Sequence, residues 1–249
     1  MTHPAANGAT NGATLVTGGN RGIGLAVCEQ ILADGGEVVC LSRQAAQMDH
    51  DQFHGYAVDL SDREATRAAL KDIVSRHNIL NVVHNAGVIR PALIEDVDLA
   101  DLDYLTELHL ATMVSLVQAT LPAMKQAGYG RIVGISSRGA LGLQTRTNYS
   151  ATKAGMFGML RTWALELGGH GITSNCVAPG PVVTDMFDEI MGDDQERINN
   201  LAASIPVKRL GAGEDVAKAT AYFLSPGAGF VTGQVLYVCG GASIGSVVI

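Results

Sequence analysis

Tyr149 and Lys153 stand four residues apart in the stretch Tyr149-Ser-Ala-Thr-Lys153. The stretch opens a helical pattern that runs to about Leu167. Residues four apart share a helix face, so the phenol and the ammonium point the same way. A free phenol titrates near pH ~10 and is a poor acid or base at neutrality. A cation held close favours the phenolate and pulls that pKa down. The pair therefore predicts proton transfer at neutral pH. About a dozen residues earlier, the apolar run Arg131-Ile-Val-Gly-Ile-Ser136-Ser137 ends in two hydroxyls. A serine at the carboxyl end of a parallel strand lies where open α/β sheets bind ligands.

A third motif is Thr17-Gly-Gly-Asn-Arg-Gly22-Ile-Gly24. It follows the apolar run Ala13-Thr-Leu-Val16 and precedes a helical run from Gly24 to Ala33. Strand, glycine-rich turn and helix N-terminus let backbone N–H groups approach a pyrophosphate, with the helix dipole behind them. The spacing of Gly18, Gly22 and Gly24 differs from both the Gly-x-Gly-x-x-Gly fingerprint and the P-loop.

These residues need elements to hold them. Apolar runs alternate with helical patterns, which predicts βαβ units and a parallel sheet. Strands are expected near 13–17, 37–42, 54–58, 80–84, 131–136, 172–177 and 234–238. Helices are expected near 22–34, 61–76, 101–127, 149–168 and 213–224. The fold class is α/β, a Rossmann-like doubly wound parallel sheet of about seven strands with helices on both faces. One catalytic domain spans 13–249, after a disordered tail over 1–12. Only Arg43 to Phe53 remains between the second and third strands, so a short helical turn is expected there. The segment 184–206 is polar, with Met186, Phe187, Ile190 and Met191 on one stripe. Because it follows a strand's carboxyl end, it is expected to act as a lid.

Composition excludes other classes. The 249 residues are 47% hydrophobic and 16% charged, enough for one large core. A net charge of −7 lacks the basic field that nucleic-acid binding needs. Cys28, Cys40, Cys176 and Cys239 are scattered in apolar surroundings and predict buried thiols, with no metal site. A reducing, cytoplasmic compartment fits them. The first residues lack a basic region and an apolar core, so no signal peptide is expected. No apolar stretch is long enough to span a membrane.

The end of the second strand reads Val38-Val-Cys-Leu-Ser42-Arg43. NAD enzymes place an acid there to bond the ribose 2′-hydroxyl. Ser42 and Arg43 stand in that slot, and Arg21 in the glycine loop could supply a second guanidinium. Two such forks suit a phosphate dianion, so NADP(H) is favoured over NAD(H).

Taken together, in order, these motifs resemble the short-chain dehydrogenase/reductase superfamily in its compact single-domain form. The resemblance runs from about Ala13 to about Ala242. It takes in Thr-Gly-x-x-x-Gly-x-Gly at 17–24, Asp59-Leu60, Asn85-Ala86-Gly87, Ser137, Tyr149, Lys153, Pro179-Gly180, Thr184 and Gly240-Gly241. It implies hydride transfer between nicotinamide and a carbonyl carbon, with Tyr149 as acid or base. Lys153 would lower the tyrosine pKa and bond the nicotinamide ribose; Ser137, ahead of Ser136, would hold the substrate oxygen. The family's fourth catalytic residue is an asparagine acting through its main-chain carbonyl. His109 occupies that position here, and a main-chain role survives the change.

For the cofactor, the resemblance implies Gly18, Gly22 and Gly24 at the pyrophosphate, with Asn20 and Ile23 beside them. Asp59 and Leu60 would lie near adenine, and Asn85, Ala86 and Gly87 near the ribose. Pro179, Gly180 and Val182 complete the set, with Thr184 at the carboxamide. The expected partner is a small carbonyl or alcohol substrate. A homotetramer or homodimer is expected through the Tyr149 helix and the long helix before Ser137. One sub-reading is a 3-oxoacyl thioester reductase, with Arg90, Arg138 and Arg146 as candidates to meet an acidic substrate. A non-catalytic dinucleotide-binding sensor is the alternative of another class.

Overall fold

The computed structural model describes residues 12–244. Of the tail expected over 1–12, only Gly12 falls among them, and 245–249 also lie outside. Seven strands form one sheet: β1 (Ala13–Thr17), β2 (Val38–Ser42), β3 (Phe53–Ala57), β4 (Ile79–His84), β5 (Gly130–Ile135), β6 (Ile172–Pro179) and β7 (Val235–Val238). Their order is β3-β2-β1-β4-β5-β6-β7, and every pairing is parallel. Strands β1, β2, β4, β5 and β6 are buried throughout, as a sheet covered on both faces demands. Only the edge strand β3 and the short β7 show exposed positions.

One face carries α1 (Gly22–Ala33) and α8 (Gly213–Leu224). Val27 and Ile31 of the first and Val216 and Phe223 of the second pack with Val16, Cys40 and Val133 of the sheet. The other face carries α2 (Arg63–Arg76), α4 (Thr112–Ala127) and α5 (Thr147–Leu167). There Ile73, Leu116, Met124, Met156 and Leu160 close over Leu15, Val82 and Ile132. Asp62 caps α2 by accepting the N–H groups of Glu64 and Ala65. Gly128, at φ 61°, lets the chain leave α4 for β5 in the left-handed region.

Two expectations are corrected. The helix expected over 101–127 is three pieces: α3 (Leu99–Thr106), a π-helical turn (Glu107–Ala111) and α4. The turn widens the helix at His109, a residue with no apolar signal to mark it. The helical turn expected between β2 and β3 does not form; 43–52 runs as bends and a turn. Ala46 is buried there, and its carbonyl lies 2.1 Å from where a Cβ on Gly55 would stand. Gly55 thus lets the crossover lie flat on β3, and burial of Ala46 replaces that of a helix.

The segment expected as a lid forms α6 (Asp185–Met191) and α7 (Gln195–Ser204). Met191 is buried, Met186 and Phe187 are half-buried, and Ile190 is exposed. Strand order reverses at β1, which bonds β2 on one side and β4 on the other. The crevice beyond the carboxyl ends of β1 and β4 is the place where such sheets bind ligands.

Candidate active site

The turn after β1 is shaped by close approach. Gly18 and Gly22 have φ of 68° and 53°, a region that disfavours side chains. A Cβ on Gly24 would stand 2.1 Å from the Gly18 carbonyl oxygen, so the start of α1 packs directly on the turn. Asn85, after β4, donates its amide to the carbonyls of Thr17 and Gly18, both at 3.1 Å. The two loops that line the crevice are therefore one hydrogen-bonded unit. Thr184 closes it from the α6 side: its hydroxyl caps α6 by accepting from Phe187, and its methyl lies 3.2 Å from a Cβ position on Gly22. Ile23 is half-buried and Asn20 exposed on this turn; Pro179 and Val182 are buried where β6 leads toward α6. Gly180 packs there against Cys239, 2.7 Å from its Cβ position. Sequence reasoning missed Gly19, whose Cβ position lies 2.5 Å and 2.7 Å from the thiols of Cys28 and Cys40. All four cysteines are free and buried, as expected.

Ser137, Tyr149 and Lys153 meet at the carboxyl end of β5. A Cβ on Gly139 would lie 3.2 Å from Ser137 Oγ and 3.3 Å from Tyr149 Cε1, so the two hydroxyl residues flank that glycine. The Gly139 N–H donates to Ser137 Oγ at 2.9 Å and fixes its position. Ser136 faces inward and donates to the main-chain carbonyl of Lys153 at 2.7 Å. The geometry thus brings Ser137 to the phenol and spends Ser136 on the fold.

Lys153 is buried, and its ammonium donates to the Ile135 carbonyl at 2.8 Å. It stands 5.8 Å from the centre of the Tyr149 ring. Burial lowers its pKa to about 8. The expectation that the cation pulls the phenol down is corrected. Burial raises the Tyr149 pKa above its ordinary value; the Ser137 hydroxyl and the Arg146 charge only partly oppose this. The lysine spends its hydrogen bond on a main-chain carbonyl, and its ammonium lies over the phenol ring without bonding the hydroxyl.

His109 is buried and closed by hydrogen bonds. The Val88 N–H donates to Nε2 at 3.2 Å, so that nitrogen carries no proton. Nδ1–H then donates to Thr152 Oγ1 at 2.9 Å, and Thr152 passes its own hydrogen to carbonyls within α5. Burial, with the Lys153 charge, lowers the His109 pKa to about 2. Its ring meets Tyr149 edge-on at 5.9 Å. A neutral imidazole with both nitrogens engaged is a brace rather than a general base. Gly87 makes the space for it: a Cβ there would lie 2.9 Å from His109 Nε2 and 3.3 Å from Lys153 Nζ.

A second buried histidine was passed over in the sequence, although it directly precedes Asn85-Ala86-Gly87. Thr17 Oγ1 accepts from Asn85 N and Ala86 N, both at 3.0 Å, so its hydrogen goes to His84 Nδ1 at 3.0 Å. The His84 proton is therefore on Nε2. That nitrogen makes no well-formed bond, but the Leu108 and His109 carbonyls of the π turn lie close enough to favour its charged form. Burial still prevails and lowers its pKa to about 3.

At the end of β2, Ser42 is buried and donates to the Gln44 carbonyl at 2.6 Å. Arg43 is exposed, and its charge helps lower the Asp59 pKa, after the larger effect of Ser61 on that carboxylate. Leu60 is buried beneath, its carbonyl bonded by Thr112. Arg21 turns to α6 instead, pairing with Asp185 at 3.3 Å and Glu189 at 3.8 Å. Of the other arginines, Arg138 donates to the Ala242 carbonyl at 2.8 Å, and Arg90 pairs with Asp101 at 3.3 Å. Arg146, at the start of α5, keeps a buried Nε without a partner.

Residues 18–243 match the family model described as enoyl-(acyl carrier protein) reductase. The chain is 34% identical to a (2S)-[(R)-hydroxy(phenyl)methyl]succinyl-CoA dehydrogenase subunit of Thauera aromatica, over 95% of this chain and 98% of that one. It is also 34% identical to the 3-oxoacyl-[acyl-carrier-protein] reductase of Haemophilus influenzae, over 91% and 96%. Among solved structures, a candidate NAD(P)-dependent gluconate 5-dehydrogenase from Beutenbergia cavernae, with NADP bound at low occupancy, superposes with a TM-score of 0.86. It is 30% identical, over 96% of this chain and 100% of that one. With the glycine turn, Ser137, Tyr149 and Lys153 in place on this sheet, the chain belongs to the short-chain dehydrogenase/reductase superfamily.

Proposed function

We propose that the protein is an NADP(H)-dependent oxidoreductase that interconverts a ketone and a secondary alcohol. The observation that carries this reading is the meeting of Ser137, Tyr149 and Lys153 at the carboxyl end of β5, beside the glycine turn. When bound, the nicotinamide supplies or accepts the hydride. In reduction, Ser137 holds the carbonyl oxygen and Tyr149 gives it a proton. A phenol held above its ordinary pKa keeps its proton at neutrality, so the donor is loaded, and the Ser137 hydroxyl and the Arg146 charge, which both favour the phenolate, ease its release. Lys153 supplies positive charge beside the developing oxyanion, and the hydrogen-bonded rings of His84 and His109 hold that corner in place.

The glycine turn fits a dinucleotide, since the backbone of Gly18, Gly22 and Gly24 leaves no room for side chains. Arg43 would meet a 2′-phosphate, and Ser42 presents no acid to repel it. The bound NADP of the solved neighbour supports the same choice. We favour β-keto acyl thioesters as one substrate class, because two relatives carry CoA or acyl-carrier-protein thioesters in their names and Arg146 stands near the phenol with an unpaired nitrogen. Turnover of ketones, acetoacetyl thioesters and secondary alcohols, followed with NADPH and NADH, tests both statements. Cofactor binding without turnover of any of them would favour the non-catalytic sensor.

The protein acts as a homodimer or homotetramer in the cytoplasm on this reading. The outer face of α5 supports pairing: Gly158 meets open space, Phe157, Met159 and Trp163 are half-buried, and Leu165 is 87% exposed. No helix of the described residues is long and apolar enough to cross a membrane. A monomeric mass by light scattering would refute the assembly.

A further inference from the structure

We propose that Glu37, His54 and His77 form a binding site for a late first-row divalent metal ion, with zinc as its representative. The site lies on the opposite rim of the sheet from Tyr149. Glu37 directly precedes β2, His54 sits at the start of the edge strand β3, and His77 caps the C-terminus of α2. Far apart in sequence, the three carry no ligand spacing that sequence reading recognises, and no metal was expected.

Their donor atoms converge. Glu37 Oε1 lies 3.2 Å from His54 Nε2 and 3.1 Å from His77 Nδ1, and all three atoms fall within 4.8 Å of one another. Zinc bonds imidazole nitrogen and carboxylate oxygen at about 2.0–2.2 Å in a tetrahedron, which sets its ligand atoms about 3.3 Å apart. The carboxylate therefore stands at ligand separation from both rings without rearrangement. The donor set, two imidazoles and one carboxylate, suits zinc and its neighbours rather than calcium or magnesium.

The surroundings fit a ligand role as well. Tyr56 OH lies 2.9 Å from His77 Nε2, the nitrogen that faces away from Glu37. With Nδ1 on a metal, Nε2 bears the proton and donates it to the phenol oxygen, which fixes tautomer and ring orientation. The Tyr56 ring also meets His77 edge-on at 6.0 Å. His77 is largely buried, with 12% of its side chain exposed, while His54 and Glu37 keep 36% and 34%. The site is anchored on one side and open to solvent on the other, so water can complete the coordination. An ion there would tie the edge strand β3 to β2 and α2, a fastening role far from the hydride chemistry.

Full-length protein, stripped with a chelator and titrated with zinc chloride by calorimetry, tests this. One ion per chain should bind at micromolar concentration or below, and the melting temperature should rise with added zinc. Glu37→Gln and His54→Ala should each weaken binding more than tenfold and remove the thermal shift. NADPH-dependent turnover of these exposed variants should match the unsubstituted protein and so report intact folding. Tyr56→Phe should weaken binding about 10–100-fold, the usual cost of losing an outer partner. Absence of stoichiometric binding would overturn the proposal and leave a histidine–carboxylate ion pair. Binding that survives both Glu37→Gln and His54→Ala would place the ion elsewhere and overturn it equally.

Discussion

Acid should unfold this protein earlier than its carboxylates alone dictate, because His84 and His109 are buried neutral. Their pKa values fall from 6.5 to about 3 and about 2 in the fold. Between those values and 6.5, the unfolded chain binds protons that the native chain cannot, so stability falls with pH. The loss begins just below pH 6.5 and continues until the folded-state values are reached. At pH ~5 each histidine removes about 2 kcal/mol relative to neutrality, and the two together about 4 kcal/mol. That is a large part of the ~5–15 kcal/mol typical of a folded domain. His109→Asn tests the share of one. Its amide keeps one donor for Thr152 and one acceptor for Val88 N–H without a titrating group. Urea unfolding at fixed protein concentration, between neutrality and pH ~5, should show the variant losing about 2 kcal/mol less than the unsubstituted protein. Parallel curves would refute the reasoning, since the imidazole would then be no harder to protonate in the fold than outside it.

Other outcomes follow from the site. Tyr149→Phe should cost roughly 10²-fold or more in kcat while cofactor affinity, read by fluorescence titration, holds; near-normal turnover removes the phenol from the chemistry. Ser137→Ala should lower kcat with little change in melting temperature. Ser136→Ala should do the reverse, costing about 1 kcal/mol in stability by removing a buried hydrogen bond between β5 and α5; the opposite pattern would exchange their roles. The pH profile of kcat/KM for reduction should fall on an alkaline limb near 8 as Lys153 loses its charge, and an unchanged rate well above that value would exclude it. Ser42→Asp with Arg43→Ala should turn the NADPH preference toward NADH, by removing a cation and adding a carboxylate beside the 2′-position. Retained preference for NADPH would move phosphate recognition elsewhere.

What could be read from the sequence was what depends on local pattern. The strands were legible because runs such as Val38–Leu41 and Ile132–Ile135 carry no polar side chain, the mark of a sheet buried on both faces. Tyr149, Lys153 and the glycine turn were legible because their spacing is local to one helix or one turn. The π turn was not, since it rests on tertiary bonds from His109 to Val88 and Thr152, distant in the chain. The crossover after Arg43 was misjudged because its burial comes from one alanine over Gly55. The direction of the Tyr149 shift depended on how deeply the phenol is buried, which helical spacing alone does not determine. Charge alone points Arg21 at a phosphate, and the acids that engage it lie in α6, far along the chain.

The joint between β5 and α5 has a bearing on how the protein fails. Ser136 bonds the main chain of Lys153, and Lys153 bonds the main chain of Ile135, so strand and helix are riveted twice within one turn. The same two bonds set the height of the ammonium beside the phenol. Partial opening that lifts α5 from the sheet should therefore part the ammonium from its strand anchor before it melts any helix. Under mild denaturant, turnover should vanish while circular dichroism is still native, and hydrogen exchange should quicken first at the N-terminal turns of α5. Loss of activity should then be the earliest gauge of a loosening fold.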